Sequence, residues 1–328
     1  MEGLVGMTAV NIAISLNQGF PCPNCKARAS WHAAGRVAVR TNSTLQRFRC
    51  ASCGERVVVK LASLRTREAS GRRELEKEYQ TLRKLQGMFS PDGRYGTLLA
   101  MGYMEFDGYA AMITRLFRGE DLIRCARSAD SDELDRMFHC AGALLRTLHD
   151  ACPDGYQTRT LDVESKLAYL ENTYGYLLNR NGRACSAFAC LRERASVIGL
   201  PPLRWSWAHG DFKPENVLYD GRRIVLLDTK LDVRGAVVYD IASFLNHILI
   251  AGRSFGGGTL RKSDQCMEAA FLSGYGGLDA PETAALRWGQ LYFMLCYLGR
   301  YGKRGIFSAV YANWWMGPLI DQLAARLA

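Results

Sequence analysis

Long apolar stretches are missing from this sequence of 328 residues. No run approaches the roughly 18 uncharged apolar residues that a membrane-spanning helix needs. A basic start is missing as well, because Glu2 is the only charge among residues 1–20, and this argues against a secretory signal. With 48% hydrophobic and 23% charged residues, the composition indicates a globular protein long enough to bury a sizeable core.

A disulfide framework is also not indicated, although the chain holds eleven cysteines. Four of them stand in two Cys-x-x-Cys pairs, and the other seven are scattered along the chain. This use of cysteine favours a reducing compartment, so we predict a cytoplasmic protein.

Positive charge is concentrated near the N-terminal end. The chain carries a net charge of +10, and residues 20–56 hold seven Lys or Arg against a single acid, Glu55. Such an excess favours acidic partners, among them nucleotides, phosphorylated substrates, nucleic acid and anionic membrane surfaces.

The two cysteine pairs lie within this basic segment, Cys22 with Cys25 and Cys50 with Cys53. A Cys-x-x-Cys pair turns tightly enough to direct two thiolates at one ion. Four thiolates together complete the closed tetrahedral shell of a structural zinc, which leaves no open position for catalysis. We therefore predict a structural Zn²⁺ bound by these four cysteines.

Between the pairs, alternating residues on both sides of Thr41-Asn42-Ser43 predict a β-hairpin. The segment 20–56 thus resembles a zinc ribbon, particularly the type found at the head of some transposases. Two roles are open for it. It is either a structural element, or a nucleic-acid binder whose basic residues neutralise phosphates while Trp31 and Phe48 stack on bases.

The strongest motif is His209-Gly210-Asp211-Phe212-Lys213-Pro214-Glu215-Asn216, followed by an apolar, strand-like run that ends on Asp228. Phosphoryl transfer needs an acid that accepts the proton of the incoming hydroxyl. It also needs an amide oxygen and a second carboxylate that hold magnesium on the nucleotide phosphates. Asp211 and Asn216 keep the five-residue interval of a kinase catalytic loop, and Asp228 stands where the second magnesium ligand is expected.

These residues resemble the protein-kinase-like superfamily, and within it the aminoglycoside and choline kinase branch. That branch has His-Gly-Asp, here at 209–211, and lacks a glycine after the magnesium Asp, here in Asp228-Thr229-Lys230. Lys213-Pro214-Glu215-Asn216 is closer to a serine/threonine protein kinase. The resemblance implies that Asp211 is the catalytic base or orienting group, with Lys213 beside it, and that Asn216 and Asp228 bind Mg²⁺.

Two further residues fit the small lobe of a kinase. The β-branched segment 57–62 carries Lys60, and a kinase strand of this form carries the lysine that holds the α- and β-phosphates. The amphipathic segment 74–85 holds three glutamates, of which the resemblance selects Glu78 as the partner of Lys60.

The glycine-rich loop that kinases place before the lysine strand is not evident. Gly35 is the only glycine between Gly19 and Gly54. The ribbon hairpin either covers the phosphates instead, or the small lobe is truncated.

Other segments are assigned by resemblance alone. Leu116, Phe117 and Arg118 correspond to the hinge whose backbone would bind the adenine edge. Lys230 and Asp232 are candidates for reaching the γ-phosphate or the acceptor. Asp240 is expected to brace the catalytic loop or to cap the helix that it opens.

The predicted fold class is α+β, a bilobal protein-kinase-like fold preceded by a zinc-ribbon hairpin. We expect residues 1–19 to form a strand or a plain lead-in, 20–56 the ribbon, 57–118 the small lobe, and 119–328 the large, mainly helical lobe.

Three functions follow from these observations. The first is an ATP-dependent (or GTP-dependent) phosphotransferase, similar to aminoglycoside phosphotransferases, acting with Mg²⁺ on a hydroxyl of a small molecule or saccharide. The second is a serine/threonine protein kinase. The third is a kinase-like scaffold, weak in catalysis, whose basic ribbon binds nucleic acid.

Overall fold

The computed structural model describes most of the chain. The described residues are 9–26, 30–35, 38–39, 43–63, 69–89, 93–106, 108–199, 201–229, 231, 233–253, 264–303 and 306–328. They form two compact units. The first contains the described residues within 1–119 and 225–230, and the second those within 120–224 and 231–328.

Helices and strands alternate irregularly along the chain. In order they are α1 (Ala9–Gly19), β1 (Trp31–Ala33), β2 (Ala38–Val39), β3 (Thr44–Cys50), β4 (Arg56–Ser63), α2 (Ala69–Gln86), β5 (Tyr95–Thr97), β6 (Ala100–Phe106), β7 (Tyr109–Arg115), β8 (Glu120–Asp121), α3 (Leu122–Ser128), α4 (Ser131–Asp150), β9 (Gln157–Arg159), α5 (Val163–Leu178), α6 (Gly182–Gly199), β10 (Leu203–Trp207), a 3₁₀ turn (Pro214–Asn216), β11 (Val217–Tyr219), β12 (Ile224–Leu226), β13 (Arg234–Ala236), α7 (Val237–Arg253), α8 (Asp264–Tyr275), α9 (Ala280–Gly302) and α10 (Ile306–Leu327).

One antiparallel sheet organises the first unit. Its strand order is β1-β3-β4-β7-β6, with β2 paired to β3. The predicted ribbon hairpin is present as β2 and β3, and its turn residues 40–42 lie outside the described residues. Since β3 also pairs with β4 over six residues, the strands of the ribbon segment continue directly into the sheet that carries Lys60.

The two faces of this sheet are covered by different helices, because successive side chains of a strand point to opposite faces. On one face, α1 packs with the buried side chains of Val57, Val59 and Leu61. On the other face, Ala62 and neighbouring strand residues pack with α2. The alternation places Lys60 on the face that α2 covers.

The N-terminal segment is not a strand, which was one of the two expectations for it. Residues 9–19 form helix α1, and its Ile12 and Leu16 are buried against Trp31 and Phe48. Their separation of four residues places both side chains on one helical face. The apolar stripe formed by these two residues spans only about one helical turn.

The second unit is mainly helical and includes a small antiparallel sheet, β13-β10-β9, and the antiparallel pair of β11 with β8. Helices α4 and α8 approach each other closely through two glycines. A Cβ on Gly142 would lie 2.0 Å from the carbonyl oxygen of Phe271, and one on Gly274 would lie 1.9 Å from that of His139. This close approach positions Tyr275 of α8 next to His149 of α4. Among the described helices, none combines the length and apolar character needed to cross a membrane.

Candidate active site

Lys60 is the centre of the residue cluster in the first unit. Its Nζ lies 3.0 and 2.7 Å from the two carboxylate oxygens of Glu78 on α2, and 2.9 Å from Oδ1 of Asp228. Three of the residues that the sequence assigns to nucleotide and magnesium binding are thus in direct contact, although Asp228 is 168 positions from Lys60.

Burial and charge act in opposite directions on this cluster. The side chains of Lys60, Glu78 and Asp228 are 21%, 16% and 37% exposed. Burial alone would lower the pKa of Lys60, but the charges of Glu78 and Asp228 raise it above its usual range. Burial raises the pKa of Glu78, the charge of Lys60 lowers it and the charge of Asp228 raises it, so the pKa of Glu78 is above its usual range. Lys60 therefore stays charged.

Asp228 has an uncommon backbone conformation. Its φ is +50°, in the left-handed region that L-residues other than glycine, asparagine and aspartate seldom adopt. Such a conformation costs on the order of 1 kcal/mol and persists only where surrounding contacts hold it. Here the ion pair with Lys60 is one such contact. No residue pattern around Asp228 indicates this strain.

The catalytic-loop motif lies in the second unit. Lys213 donates from Nζ to Oδ2 of Asp211 over 2.6 Å, and Asn216 donates from Nδ2 to the same oxygen over 3.0 Å. Asn216 also donates to the backbone carbonyl of Asp211 over 2.9 Å. Asn216 is buried, whereas the Asp211 side chain is 56% exposed. The loop thus fixes the carboxylate of Asp211 and leaves one side of it accessible.

Asp240 holds the backbone of the catalytic loop. Its carboxylate accepts hydrogen bonds from the backbone amides of His209 (2.7 Å) and Gly210 (2.9 Å), and it lies 3.3 Å from Nε2 of His149. Burial alone would raise the pKa of Asp240, but His149 and His209 lower it below its usual range. Asp240 lies in the first turn of α7, which begins at Val237, so its contacts are those of a brace for the loop rather than of a helix cap.

The remaining residues assigned by resemblance are the hinge residues and the two candidates for contact with the γ-phosphate or the acceptor. Leu116, Phe117 and Arg118 follow β7 without regular structure, and the amide of Leu116 donates to the carbonyl of Arg56 over 2.9 Å. Lys230 and Asp232 lie outside the described residues.

The four cysteines converge on one point. The Sγ atoms of Cys22, Cys25, Cys50 and Cys53 all lie within 4.8 Å of one another. Two of these separations are 3.5 Å (Cys22–Cys53) and 3.9 Å (Cys25–Cys50). Zn–S bonds of ~2.3 Å in a tetrahedron place the sulfur atoms about 3.8 Å apart, so the cluster fits a zinc ion.

Both cysteine pairs have the same backbone geometry. The residue after each pair, Lys26 or Gly54, has a positive φ, +58° and +76° respectively. Its amide donates to the carbonyl of the first cysteine of the pair, over 2.8 Å at Cys22 and 2.9 Å at Cys50. Two matching turns that each present two thiolates are the expected geometry of a closed metal site.

The aromatic residues that the sequence offered for base stacking are not available for it. Trp31 is 1% exposed and Phe48 is 0% exposed, and the indole nitrogen of Trp31 donates to the carbonyl of Phe20. Both rings belong to the core between α1 and the sheet. The expectation that they face a nucleic acid is therefore wrong.

Comparison with known proteins identifies the class of this chain. Residues 39–275 match the phosphotransferase enzyme family known as APH. Because the match covers well over half of the sequence, the chain belongs to this family. No curated protein sequence matches the chain.

Solved structures share the fold at low sequence identity. Amicoumacin kinase hAmiN, in complex with AMP-PNP, Ca²⁺ and Ami, has a TM-score of 0.57 at 13% identity, over 89% of this chain and 87% of that one. A Plasmodium vivax ethanolamine kinase has a TM-score of 0.53 at 14% identity, over 90% and 84% of the two chains. A choline/ethanolamine kinase family protein from Mesorhizobium loti has a TM-score of 0.50 at 13% identity, over 97% and 98%. The predicted α+β, protein-kinase-like fold is confirmed.

The sequence did not indicate one set of contacts beside the loop. His247 of α7 lies 3.6 Å from Glu215, and its ring packs on that of Tyr297 of α9. A signal existed, since Tyr239, Ser243 and His247 recur every four residues in a mainly apolar helix. Such a polar stripe is easily taken for helix surface.

Proposed function

We propose that this phosphotransferase transfers the γ-phosphate of ATP (or GTP) to a hydroxyl of a small molecule or saccharide, with Mg²⁺. The observation that carries the proposal is the contact of Lys60 with both Glu78 and Asp228. An ammonium group fixed between two carboxylates is a preorganised partner for nucleotide phosphates, and phosphoryl transfer depends mainly on such positioning.

Each assigned residue has a role in this proposal. Lys60 neutralises the α- and β-phosphates, and Glu78 orients it. Asp228 and Asn216 supply a carboxylate and an amide oxygen, the hard ligands that Mg²⁺ prefers. The bound Mg²⁺ would offset the charge that develops on the phosphates. The amide of Leu116 already donates to the carbonyl of Arg56, so the adenine edge would bind the backbone groups of Phe117 and Arg118.

Asp211 would accept the proton of the acceptor hydroxyl or orient it. Its carboxylate is exposed on one side and held by Asn216 on the other, as a general base requires. Lys213, at 2.6 Å, would stabilise the charge of Asp211 before transfer and that of the transferred phosphate during it.

The cysteine cluster is assigned a structural zinc in this proposal. Cys50 ends β3, and β3 pairs with the Lys60 strand, so the ion would stabilise the sheet beside the nucleotide site. The burial of Trp31 and Phe48 removes the aromatic part of the nucleic-acid hypothesis.

Nucleotide binding is the first test. Because a ligand that binds only the folded state stabilises it, ATP at 100 times its Kd would add about 2.7 kcal/mol to the free energy of unfolding. We expect a Mg²⁺-dependent rise in Tm with ATP or GTP for the wild type and for Asp132→Ala, an exposed control on α4. The rise should vanish in Asp228→Ala. A wild-type Tm that no nucleotide changes would refute the proposal.

A second candidate is a serine/threonine protein kinase, favoured by the contact between Lys213 and Asp211. Intact-mass measurement after incubation with Mg²⁺ and ATP separates the two. An added phosphate of 80 Da on the protein itself would favour the protein kinase. An unchanged mass together with phosphorylated small molecules would favour the first candidate.

A further inference from the structure

Three cations of the second unit each lie over the ring of a tyrosine. Nζ of Lys166 lies 5.1 Å from the ring centre of Tyr239, and Nζ of Lys303 lies 5.1 Å from that of Tyr174. The guanidinium of Arg300 lies 5.9 Å from the ring centre of Tyr297. Cations over aromatic faces gain electrostatic attraction without losing their charge.

None of these three cations forms an ion pair with a carboxylate of a described residue, unlike other cations of the same unit. Arg204 contacts Glu282, and both Arg287 and Arg326 contact Glu268. Asp162 acts on Lys166 through its charge but not through an ion-pair contact, so none of the three cations has a described carboxylate in contact with it that would exclude an external anion.

Two of these cations border a row of side chains between α7 and α9. Tyr239, Ser243 and His247 lie on one face of α7 at intervals of four residues. The ring of Tyr239 packs on Phe293 at 5.5 Å, and the ring of His247 packs on Tyr297 at 5.3 Å. The hydroxyl of Ser243 lies 3.4 Å from that of Tyr297.

The row leads to the catalytic loop at one end. His247 lies 3.6 Å from Glu215, four residues after Asp211. Burial raises the pKa of Tyr297, while its hydrogen bond with Ser243 and the charge of Arg300 lower that pKa. A compound bound along the row would lie beside the loop that carries the proposed base.

At the other end lies the buried hydroxyl of Tyr239, which forms no hydrogen bond with any residue that the structure describes. Buried polar groups are normally paired, so this hydroxyl can take a further partner. Asp162, whose charge acts on both Tyr239 and Lys166, caps α5 by accepting from the amide of Ser165. A ligand oxygen with negative charge would satisfy Tyr239 and Lys166 together.

We infer that Lys166, Tyr239, His247, Tyr297 and Arg300, here called the α5–α7–α9 surface, bind the acceptor, and that the acceptor is an anionic hydroxyl compound. This inference rests on the proposed function. A carboxylate or phosphate of the acceptor would be attracted by Lys166 and Arg300, while its carbon framework packs on the tyrosines. Its hydroxyl oxygen would bond to the γ-phosphorus as the bond from phosphorus to the leaving nucleotide oxygen breaks, and the hydroxyl proton would pass to Asp211.

The same charges disfavour polycationic acceptors. Like charges placed next to one another oppose binding, and this repulsion is a common source of specificity. The surface therefore selects among hydroxyl compounds by the sign of their charge.

Three sugars that differ in charge test the inference. We would record saturation-transfer-difference NMR on an equimolar mixture of glucuronate, glucose and glucosamine at neutral pH, with wild-type protein and Mg²⁺-ATP analogue present. We expect the glucuronate signal to exceed that of glucosamine at least threefold. The preference should be lost in the Lys166→Gln/Arg300→Gln double variant. It should persist in Arg192→Gln, because Arg192 on α6 is exposed and paired with Glu171.

A stronger glucosamine signal, or equal signals from the three sugars, would overturn the inference. So would an undiminished glucuronate preference in the double variant. The Tm rise with Mg²⁺-ATP is read on the same samples and does not depend on the sugar. Its presence with an absent charge preference would refute the acceptor class alone, and its absence from the wild type would refute the proposed function.

Discussion

Asp228 and Asp211 are both paired with a lysine, but the two pairs arise in different ways. Asp228 meets Lys60 across 168 positions of sequence, in a cluster that also includes Glu78. Asp211 meets Lys213 only two positions away, and Asn216 completes the contact from within the same loop.

This difference in sequence separation shows which part of the site depends on tertiary structure. The Asp228 pair requires that the sheet and α2 be correctly folded, and it includes a left-handed backbone at Asp228. The Asp211 pair requires a local loop, whose backbone is fixed by one buried carboxylate, Asp240. We therefore expect changes to the first unit to alter the first pair much more than the second.

The largest effect is expected from replacing either aspartate. Asp211→Asn and Asp228→Asn should each lower phosphoryl transfer by a factor on the order of 10²–10⁴, because a general base or a metal ligand is lost. The two variants should differ in nucleotide binding. Asp211→Asn should keep the Mg²⁺-dependent rise in Tm, and Asp228→Asn should lose it. Equal rises in both variants would contradict the separate roles, and circular dichroism would check that both are folded.

A smaller effect on transfer is expected from Lys60→Met, a loss on the order of 10²–10³-fold in kcat/KM. This variant should also be destabilised by about 1–3 kcal/mol at pH 7. Breaking a buried ion pair costs ~3–5 kcal/mol, and the partial exposure of these side chains reduces that cost. Two carboxylates then face each other without an ammonium group.

The pH dependence of this variant follows from Glu78. Its pKa is already raised in the folded wild type, so its contribution to stability improves as pH falls toward the unfolded value of 4.5 and is lost as pH rises through the folded pKa. Removing Lys60 raises that pKa further. The stability difference between wild type and Lys60→Met should shrink from pH 7 to pH 5 in urea unfolding. A constant difference, or the same behaviour in the α2 surface control Lys84→Met, would contradict this account.

The smallest effect on transfer is expected from removing the zinc. Cys22→Ser, or chelation, should loosen β3 and through it β4, which carries Lys60. We expect faster amide hydrogen exchange in residues 43–63, unchanged exchange in residues 209–219, and a loss of transfer of about tenfold, equivalent to ~1.4 kcal/mol. Cys185→Ser, at an exposed cysteine of α6, is the control. Faster exchange in residues 209–219 would show that the two pairs are not independent.

Local motifs made much of this protein predictable. The loop from His209 to Asn216 has its chemistry within eight residues, and the cysteine pairs have theirs within four each. The fold class followed because these motifs are specific and because strands and helices surround them in the expected order. The assignment of Glu78, rather than a neighbouring glutamate, to Lys60 depended on the resemblance to kinases, and the two side chains are in contact at 2.7 Å.

Features that depend on distant contacts could not be predicted. Trp31 and Phe48 looked available for stacking because nothing in the sequence shows that α1 covers them. The left-handed backbone at Asp228 has no residue signature. The contacts of Tyr239, Ser243 and His247 with side chains of α9 become apparent only when α9 packs against α7.

The pairing of β3 with β4 also determines how this protein can be engineered or diversified. The cysteine-bearing segment is not an appendage, because its strand β3 pairs with residues 56–61 along one edge of β4. Cutting the chain between residues 56 and 57 would leave the Lys60 strand as a bare, hydrophobic edge, the kind of edge that pairs with other chains and aggregates. A chimaera with a relative should therefore exchange residues 9–63 together. Its junction should lie after β4 rather than before it.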